Sequence, residues 1–276
     1  MRSLPTGGIL MLAFAACARP AQTPGSAIPV VTIVASDFAF AAPDTIPAGL
    51  TTFKMVNQGV EPHQAVVMGA DGKTWDELRT AVMTPGPIPP WLTFPGSPGV
   101  AVGGDTSNAT ARLEPGNYFI VCFIPSADGT PHVMKGMVRR LVVRPAPLTA
   151  GAPAPAPQAE ITVTLSDYSF GLSTPLTAGT HTIRVENAGP QLHEIGIEQL
   201  APGKTIADWQ RWAAGGMKGM GPARPVGGLV GPDKGKVGWF TVTLTPGKYL
   251  LACYVPDAND NKPHIEHGMV QEITVN

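Results

Sequence analysis

One stretch of sequence occurs twice in this chain, and it constrains the fold more than any other feature. Residues 122–137 read CFIPSADGTPHVMKGM, and residues 253–269 read CYVPDANDNKPHIEHGM. Each copy has one cysteine after an apolar, strand-like run, then Pro-His, then Gly-Met, then a second strand-like run. A thiolate, an imidazole and a thioether from one loop are ligand types that suit copper. The rest of each half is therefore expected to be a scaffold that presents this loop.

The similarity between the two halves extends well beyond these loops. SDFAF at 36–40 matches SDYSF at 166–170, and LEPGNYFIVC at 113–122 matches LTPGKYLLAC at 244–253. Three further positions recur, namely Asn57 with Asn187, Gly59 with Gly189 and His63 with His193. Duplication of a whole unit predicts two domains, at 30–143 and 161–276. The Pro/Ala-rich segment 144–160 is expected to be an extended linker between them.

Short apolar or alternating runs bounded by Gly, Pro and Asn fill both halves, which predicts an all-β chain of two sandwiches. Each half also predicts one short helix in the long connection before the cysteine strand. Thr74 with Glu77, and Thr205 with Asp208, have the spacing of capping boxes at the start of these helices. The glycine-rich segment 215–228 is expected to be a mobile loop.

The first residues have the pattern of a targeting segment. Arg2 precedes a short apolar run, and Ala15 and Ala16 precede Cys17, so that residues 1–17 resemble a bacterial signal peptide ending in a lipidation site at Cys17. An ordinary signal peptide cleaved nearby is the alternative. Both interpretations predict export to the cell envelope or periplasm, and lipidation would anchor the chain to a membrane. Residues 18–29 would then be a flexible tether.

Charge and cysteine content exclude some classes of function. The net charge is −1 and only 14% of residues are charged, so no basic face indicates a nucleic-acid partner. Apart from Cys17, the chain has Cys122 and Cys253, at equivalent places in the two halves. A disulfide between them would require the interiors of two domains to meet. Two free thiols in an exported protein are the expected alternative, and they need a chemical reason.

Four positions in each half are candidate metal ligands. The sets are His63, Cys122, His132 and Met137 in the first half, and His193, Cys253, His264 and Met269 in the second. Two imidazoles and a thiolate with a weak thioether form a copper site. His267, close to His264, is a possible alternative ligand. Each residue also has a plain structural interpretation, since the histidines, cysteines and methionines could simply pack in the core.

These residues resemble the cupredoxin, or small blue copper protein, family that includes plastocyanin and azurin. The resemblance rests on the Asn-x-Gly turn before a His, the Pro-Gly-x-Tyr run into the Cys, and the His-x4-Met spacing with Gly before Met. It covers both halves. The resemblance implies two tandem Greek-key β-sandwiches, one copper per domain, and single-electron transfer.

The chain departs from this family in two ways. Nine residues separate Cys122 from His132 and ten separate Cys253 from His264, more than the family has. Such insertions can bulge outward at little closure cost, or they can carry the His away from the site. The residue after the first His is Gln64 in one half and Glu194 in the other, where the family commonly has Asn. A carboxylate pointing inward from Glu194 would favour the more positive copper state.

Several functions are consistent with these sequence features. A redox partner, or a copper donor or acceptor, in the cell envelope is expected to meet this chain. A metal-free binding module and a Cu(I) chaperone are the alternatives. Multicopper oxidases and copper nitrite reductases also contain repeated cupredoxin domains, but the chain has six histidines and neither a His-x-His nor a His-Cys-His motif. On that ground the chain is expected not to be an enzyme.

Overall fold

The computed structural model describes residues 27–70, 72–84, 86–147, 153–217 and 221–276. The predicted targeting segment with Cys17, and the tether as far as residue 26, lie outside the described residues. Within the described ranges the chain forms 18 β-strands, two α-helices and two 3-10 helical turns. None of the helices described is long and apolar enough to cross a membrane.

The first half contains ten of these strands. They are β1 (Val30–Ser36), β2 (Ala39–Ala41), β3 (Thr45–Pro47), β4 (Gly49–Asn57), β5 (Val66–Ala70), β6 (Leu92–Thr93), β7 (Ser97–Pro98), β8 (Thr106–Leu113), β9 (Gly116–Val121) and β10 (Val138–Arg144). Helix α1 (Trp75–Met83) follows β5, and a 3-10 turn at His132–Lys135 precedes β10.

The second half repeats this order with fewer short strands. Its strands are β11 (Ile161–Ser166), β12 (Ser169–Leu172), β13 (Gly179–Asn187), β14 (Glu194–Leu200), β15 (Ala223–Val230), β16 (Val237–Leu244), β17 (Gly247–Ala252) and β18 (Val270–Val275). Helix α2 (Ile206–Ala214) follows β14, and a 3-10 turn at His264–His267 precedes β18.

The strands form three sheets. An eight-stranded sheet, in the order β12-β11-β13-β16-β8-β4-β1-β2, runs through both halves. Each half adds a five-stranded sheet, β3-β10-β9-β5-β6 in the first and β18-β17-β14-β15-β7 in the second. The first strand of each half pairs in parallel with the next long strand, β1 with β4 and β11 with β13, while most other pairs are antiparallel. The predicted all-β class, two Greek-key sandwiches with one short helix each, is confirmed.

Each sandwich buries its own core between the shared sheet and its five-stranded sheet. Strand β1 alternates between buried and less buried positions, as a half-covered strand does, and places Ile33 inward at 0% exposure. Ile33 packs in one cluster with Phe53 and Leu141, and this cluster also contains Cys122. Cys253 occupies the corresponding core of the second half. The two cysteines are therefore part of well-packed interiors.

Both helices begin at the predicted capping boxes. The Thr74 side chain accepts a hydrogen bond from the backbone of Glu77, whose carboxylate accepts one from the backbone of Thr74. Thr205 and Asp208 exchange the same pair of bonds at the start of α2. These bonds satisfy backbone N–H groups that a helix start leaves free.

The two halves are joined by paired strands. Strand β8 pairs with β16 through Ala111 and Gly238, which makes the eight-stranded sheet continuous. The Asn108 amide donates to the backbone oxygen of Thr241 and accepts from its nitrogen, both at 2.8 Å. Strand β7 of the first half also pairs with β15 of the second. The boundaries predicted at 30–143, 144–160 and 161–276 stay a prediction.

One predicted loop is wrong in part. Segment 215–228 was expected to be mobile because of its glycines, yet its second portion forms β15, which pairs with β14 along seven residues. Gly228 explains why glycine is needed there, since a Cβ at this position would lie 2.2 Å from the backbone oxygen of Ile195. Glycine in this strand permits close backbone approach, which is one of its roles in sheets.

Candidate metal centres

The first histidine of each centre is fixed by a turn that an asparagine ties together. The Asn57 side chain donates to the backbone oxygens of Glu61 and Ala101 and accepts from the nitrogen of Gly59. His63 then pairs with Ala101 in an isolated bridge. Asn187 makes the matching bonds in the second half, to Gln191, Pro232 and Gly189. The Asn-x-Gly turn thus sets the position of the histidine.

The glycine of this turn makes room for the histidine and its carboxylate partner. A Cβ on Gly59 would lie 2.3 Å from Asp37 Oδ1 and 2.9 Å from His63 Nε2. A Cβ on Gly189 would meet Asp167 Oδ1 and His193 Nε2 at 2.9 Å and 2.8 Å. Glycine is needed here for close approach, because its neighbours are held by hydrogen bonds of their own.

The lengthened loop between cysteine and second histidine bulges outward and returns. In the first half Pro125 bridges to Pro131, and Ser126 N donates to Thr130 O across the loop. The nitrogen of His132 donates to Ile124 O at 2.9 Å, which brings its ring back beside Cys122.

The second loop closes in the same way. Pro256 bridges to Pro263, and His264 N donates to Val255 O at 3.0 Å. The insertions therefore leave His132 and His264 close to the cysteines, with each Nδ1 3.4 Å from the sulfur.

The structure brings together three of the four predicted ligands of the first half. His63 Nδ1 and His132 Nδ1 are 3.0 Å apart, and Cys122 Sγ lies 3.9 Å and 3.4 Å from them. All three residues are completely buried. Met137 is also buried, and its backbone oxygen accepts from the nitrogen of Cys122, so the methionine lies beside the cluster.

The second half contains the equivalent cluster. His193 Nδ1 and His264 Nδ1 are 3.1 Å apart, and Cys253 Sγ lies 3.4 Å from His264 Nδ1. His193, Cys253 and His264 are completely buried, as is Met269, whose backbone oxygen accepts from Cys253.

A hydrogen bond at Nε2 fixes which ring nitrogen of the first histidine carries the proton. His63 Nε2 lies 3.1 Å from Asp37 Oδ1, and His193 Nε2 lies 2.8 Å from Asp167 Oδ1. Because an ionised carboxylate can only accept, each Nε2 carries the proton and each Nδ1 presents a lone pair to its cluster. Each cluster therefore has an imidazole lone pair beside its cysteine sulfur, an arrangement that can receive a cation.

Burial keeps the thiols protonated until something displaces their protons. It raises the pKa of the Cys122 thiol to about 11 and raises that of Cys253 further. Burial also lowers the pKa of His63 and of His193, and it lowers that of His264 to about 4, so these rings are neutral and able to bind metal. A metal ion binding to a cysteine releases its proton. The donor set, two imidazoles and one thiolate in a buried site, is that of a copper centre.

Sequence reasoning missed the carboxylates behind the histidines. Asp37 and Asp167 sit in the matching pentapeptides SDFAF and SDYSF, about 26 residues before their histidines. Their recurrence at one offset was the available signal. Carboxylates that orient a metal-binding histidine in this way are common in metal sites.

The residue after the first histidine differs between the centres. The nitrogens of Gln64 and Glu194 each donate toward the neighbouring cysteine sulfur, at 3.5 Å and 3.4 Å. The Glu194 carboxylate is buried and accepts from Tyr254 N at 2.9 Å. Burial raises the pKa of this carboxyl to about 7. The second centre therefore has a buried acid close to its cysteine, at the position where the first centre has Gln64.

His267 lies outside the second cluster, and the structure places His264 beside Cys253. His267 Nε2 contacts Asp260 Oδ1 at 3.1 Å, and these two residues form a separate group of possible metal ligands with Asp257. Cys122 and Cys253 are both free, so the disulfide considered above does not form.

No protein-family model and no curated protein matches this chain. Among solved structures, reduced auracyanin from Roseiflexus castenholzii is 18% identical, with 44% of this chain and 100% of auracyanin covered and a TM-score of 0.29. A blue copper oxidase from Nitrosomonas europaea is 15% identical, covering 91% of this chain and 86% of the oxidase, with a TM-score of 0.26. A copper nitrite reductase from the same organism is 14% identical, covering 91% and 94%, with a TM-score of 0.26.

The expectation that the chain is not an enzyme is wrong. It rested on the absence of His-x-His and His-Cys-His from the linear sequence, yet the structure assembles two spatial His-Cys-His groups. Ligands contributed by separate loops need no linear motif, so the absence of such a motif does not exclude a copper enzyme.

The strand order and the two clusters of this chain agree with the resemblance noted in its sequence. Each half is a Greek-key sandwich that carries an early histidine and a late Cys-His-Met loop at one end. The chain has a two-domain cupredoxin fold with two buried His-Cys-His centres whose donors suit copper.

Proposed function

We propose that this chain is a copper protein that transfers single electrons, with one copper in each of two domains. The observation that carries the proposal is the convergence of Nδ1, Nδ1 and Sγ in two equivalent, fully buried clusters. The proposed ligands are His63, Cys122 and His132 with Met137 as a weak axial ligand, and His193, Cys253 and His264 with Met269.

Copper would supply a one-electron change between Cu(II) and Cu(I). The residues around each centre would keep the ligand positions nearly unchanged during that step. Backbone bonds hold both ends of each ligand loop, and carboxylates hold the first histidine of each centre. Burial excludes water from the ligand atoms. Ligands held in this way need to move little when the metal changes charge.

The proposal also covers the cellular location of the chain and the kind of protein it meets. Residues 1–17 support export to the cell envelope, with lipid attachment at Cys17 and a tether that holds the folded part off the membrane. The partner would be a redox protein, or a copper donor or acceptor, in the same compartment. A net charge of −1 gives little long-range attraction to a strongly charged partner or to nucleic acid.

Reversible redox cycling of the copper-loaded protein tests this function. We expect a strong visible absorption from the copper–thiolate pair that a mild reductant removes and an oxidant restores over many cycles. Tight colourless Cu(I) binding with poor cycling would instead favour a chaperone, and failure to retain copper would favour a metal-free module. Catalytic turnover of dioxygen or nitrite would assign the chain to the copper enzymes.

A further inference from the structure

The surroundings of the second histidine differ between the two centres at three equivalent positions. Phe38, Glu61 and Ser126 of the first half correspond in place to Tyr168, Gln191 and Asp257 of the second. Phe38 and Tyr168 each contact the second histidine edge-on, at ring-centroid distances of 5.2 Å and 5.5 Å. The carboxylate near the second histidine therefore lies in the loop before the first histidine in the first half (Glu61), and in the loop after the cysteine in the second half (Asp257).

In the first centre the carboxylate bonds directly to the ligand. His132 Nε2 lies 2.9 Å from Glu61 Oε2, so the ring donates to Glu61 and directs its Nδ1 lone pair into the cluster. The backbone nitrogen of Glu61 donates to Asp37, and its backbone oxygen accepts from Asn57, which fixes the residue on both sides. The Glu61 side chain is 34% exposed while His132 is fully covered.

In the second centre the carboxylate is occupied by other groups. Asp257 Oδ2 accepts from the Tyr168 hydroxyl at 2.6 Å and from Gln191 at 2.9 Å. Its other oxygen accepts from Asn259 N at 2.8 Å. His264 Nε2 is 3.7 Å from Asp257 and, among the described residues, is a buried nitrogen without a hydrogen-bond partner.

This difference has a predictable chemical effect on a bound metal. A carboxylate that accepts from the outer nitrogen of an imidazole raises the basicity of the inner nitrogen and fixes its tautomer. The negative charge so placed also favours the more positive metal state. Charge-assisted bonds of this kind are about twice as strong as neutral ones. The first centre receives the hydrogen-bond effect through both histidines, and the second through His193 alone. Asp257, at 3.7 Å from His264 Nε2, and the buried Glu194 place acidic groups near the second centre without such a bond.

We propose that Glu61 is a positioning residue that holds His132 and raises the preference of the first centre for Cu(II) over Cu(I), and that none of the described residues acts in this way on His264. The proposal rests on copper binding by the first centre. It makes the two centres unequal in how their second histidine is held, although their ligands are the same.

The first test isolates one centre and measures its reduction potential. In a Cys253→Ser background, which removes the second thiolate, Glu61→Gln should lower the ratio of Cu(II) to Cu(I) affinity about 10- to 100-fold. Each factor of ten is a rise of about 59 mV in the potential of a one-electron couple. Asp128→Asn, on the same Cys-His loop and paired with Lys135, removes an equal charge without contacting His132 and should change the ratio less than about threefold. An unchanged potential in Glu61→Gln, or equal shifts in both variants, would overturn the proposal.

The second test needs no metal. In the metal-free protein, nitrogen-15 NMR should show His132 protonated at Nε2 with that proton protected from exchange, and Glu61→Ala, which removes the acceptor oxygen, should remove the protection. His264 should show no such protected proton. An exposed Nε2 proton on His132 in the parent would contradict the role of Glu61. If the parent retains no copper, the proposed function fails, whereas this measurement still decides whether Glu61 holds His132.

Discussion

The histidines of the two centres are held by groups that are distant in sequence, and this sets what the sequence alone could predict. The ligands His63, Cys122 and His132 were found because they recur as a set. Asp37 and Glu61 were not, because their contacts with the histidines depend on how two loops meet, and the recurrence of Asp37 as Asp167 does not by itself indicate such a contact. Single residues around the ligands therefore offer the sharpest tests.

Enlarging the turn glycine should weaken the first centre. In Gly59→Ala the new methyl group would lie within 3 Å of Asp37 and His63, so the histidine or its partner must move. Copper affinity of the first centre should fall about 10- to 100-fold, as it does when supports of metal ligands are lost. Competition with a chelator of known affinity measures the change. Gly116→Ala, where the nearest atom is at 3.6 Å, is the control and should bind copper as the parent does.

A buried acid near the second centre should make stability depend on pH. The Glu198 carboxylate accepts from Trp209 Nε1 at 3.0 Å and from the Tyr254 hydroxyl at 2.5 Å. Burial raises its pKa above the ordinary 4.5. The folded state therefore holds this proton more tightly, and the stability it gives is complete below pH 4.5 and is lost as the pH rises through the folded-state pKa.

Replacing Glu198 should make the free energy of unfolding depend less on pH. In the metal-free protein we expect the free energy of unfolding to fall less steeply in Glu198→Gln than in the parent as the pH rises above 4.5. Denaturant titrations at a series of pH values measure the slope. Parallel profiles for the two proteins would show that Glu198 titrates alike in the folded and unfolded states.

At the scale of elements, sequence patterns predicted the helix starts and long strands, which depend on residues close together in the chain. The capping boxes at Thr74 and Thr205 correctly marked both helix starts, and alternation marked the long strands. Strand β15 was missed because its glycines indicate a loop, while the reason for them is the close approach of β14 and β7, a tertiary contact. The outward path of the ligand loops depends on bridges between prolines that spacing could not reveal.

The glycine of β15 should tolerate no side chain. In Gly228→Ala the methyl group would lie 2.2 Å from a backbone oxygen, and the φ of +142° is one that L-residues avoid. We expect a loss of about 3 kcal/mol or more in the free energy of unfolding. Gly171→Ala in β12, with ordinary contacts at 3.7 Å, should change it by less than about 1 kcal/mol. Equal stability of the two variants would contradict the pairing of β15 with β14.

At the scale of the molecule, the eight-stranded sheet ties the two sandwiches together. Sequence comparison predicted two units but gave no sign that β8 and β16 would pair, since pairing between units needs no repeated pattern. Because this sheet is continuous, we expect the metal-free chain to unfold in one cooperative transition. Calorimetry tests this, since the calorimetric and van't Hoff enthalpies agree for a single transition.

Weakening the junction should affect both halves. Asn108→Ala removes two hydrogen bonds to the backbone of Thr241 and should lower the free energy of unfolding by about 1 to 3 kcal/mol. Asn117→Ala is the control, because it changes the same residue type in β9, a strand that pairs with β5 and β10 of the first half. Two separated transitions in Asn108→Ala, with one in the control, would show that this junction provides the cooperativity.

The measurement that bears most directly on the whole account is a count of copper retained by each protein after dialysis. The parent should retain two copper ions per chain, Cys122→Ser and Cys253→Ser about one each, and the double variant none, because each buried cluster depends on its thiolate. Circular dichroism would check that the variants stay folded. A folded parent that retains no copper, or a double variant that retains as much as the parent, would contradict the assignment of these clusters as copper centres.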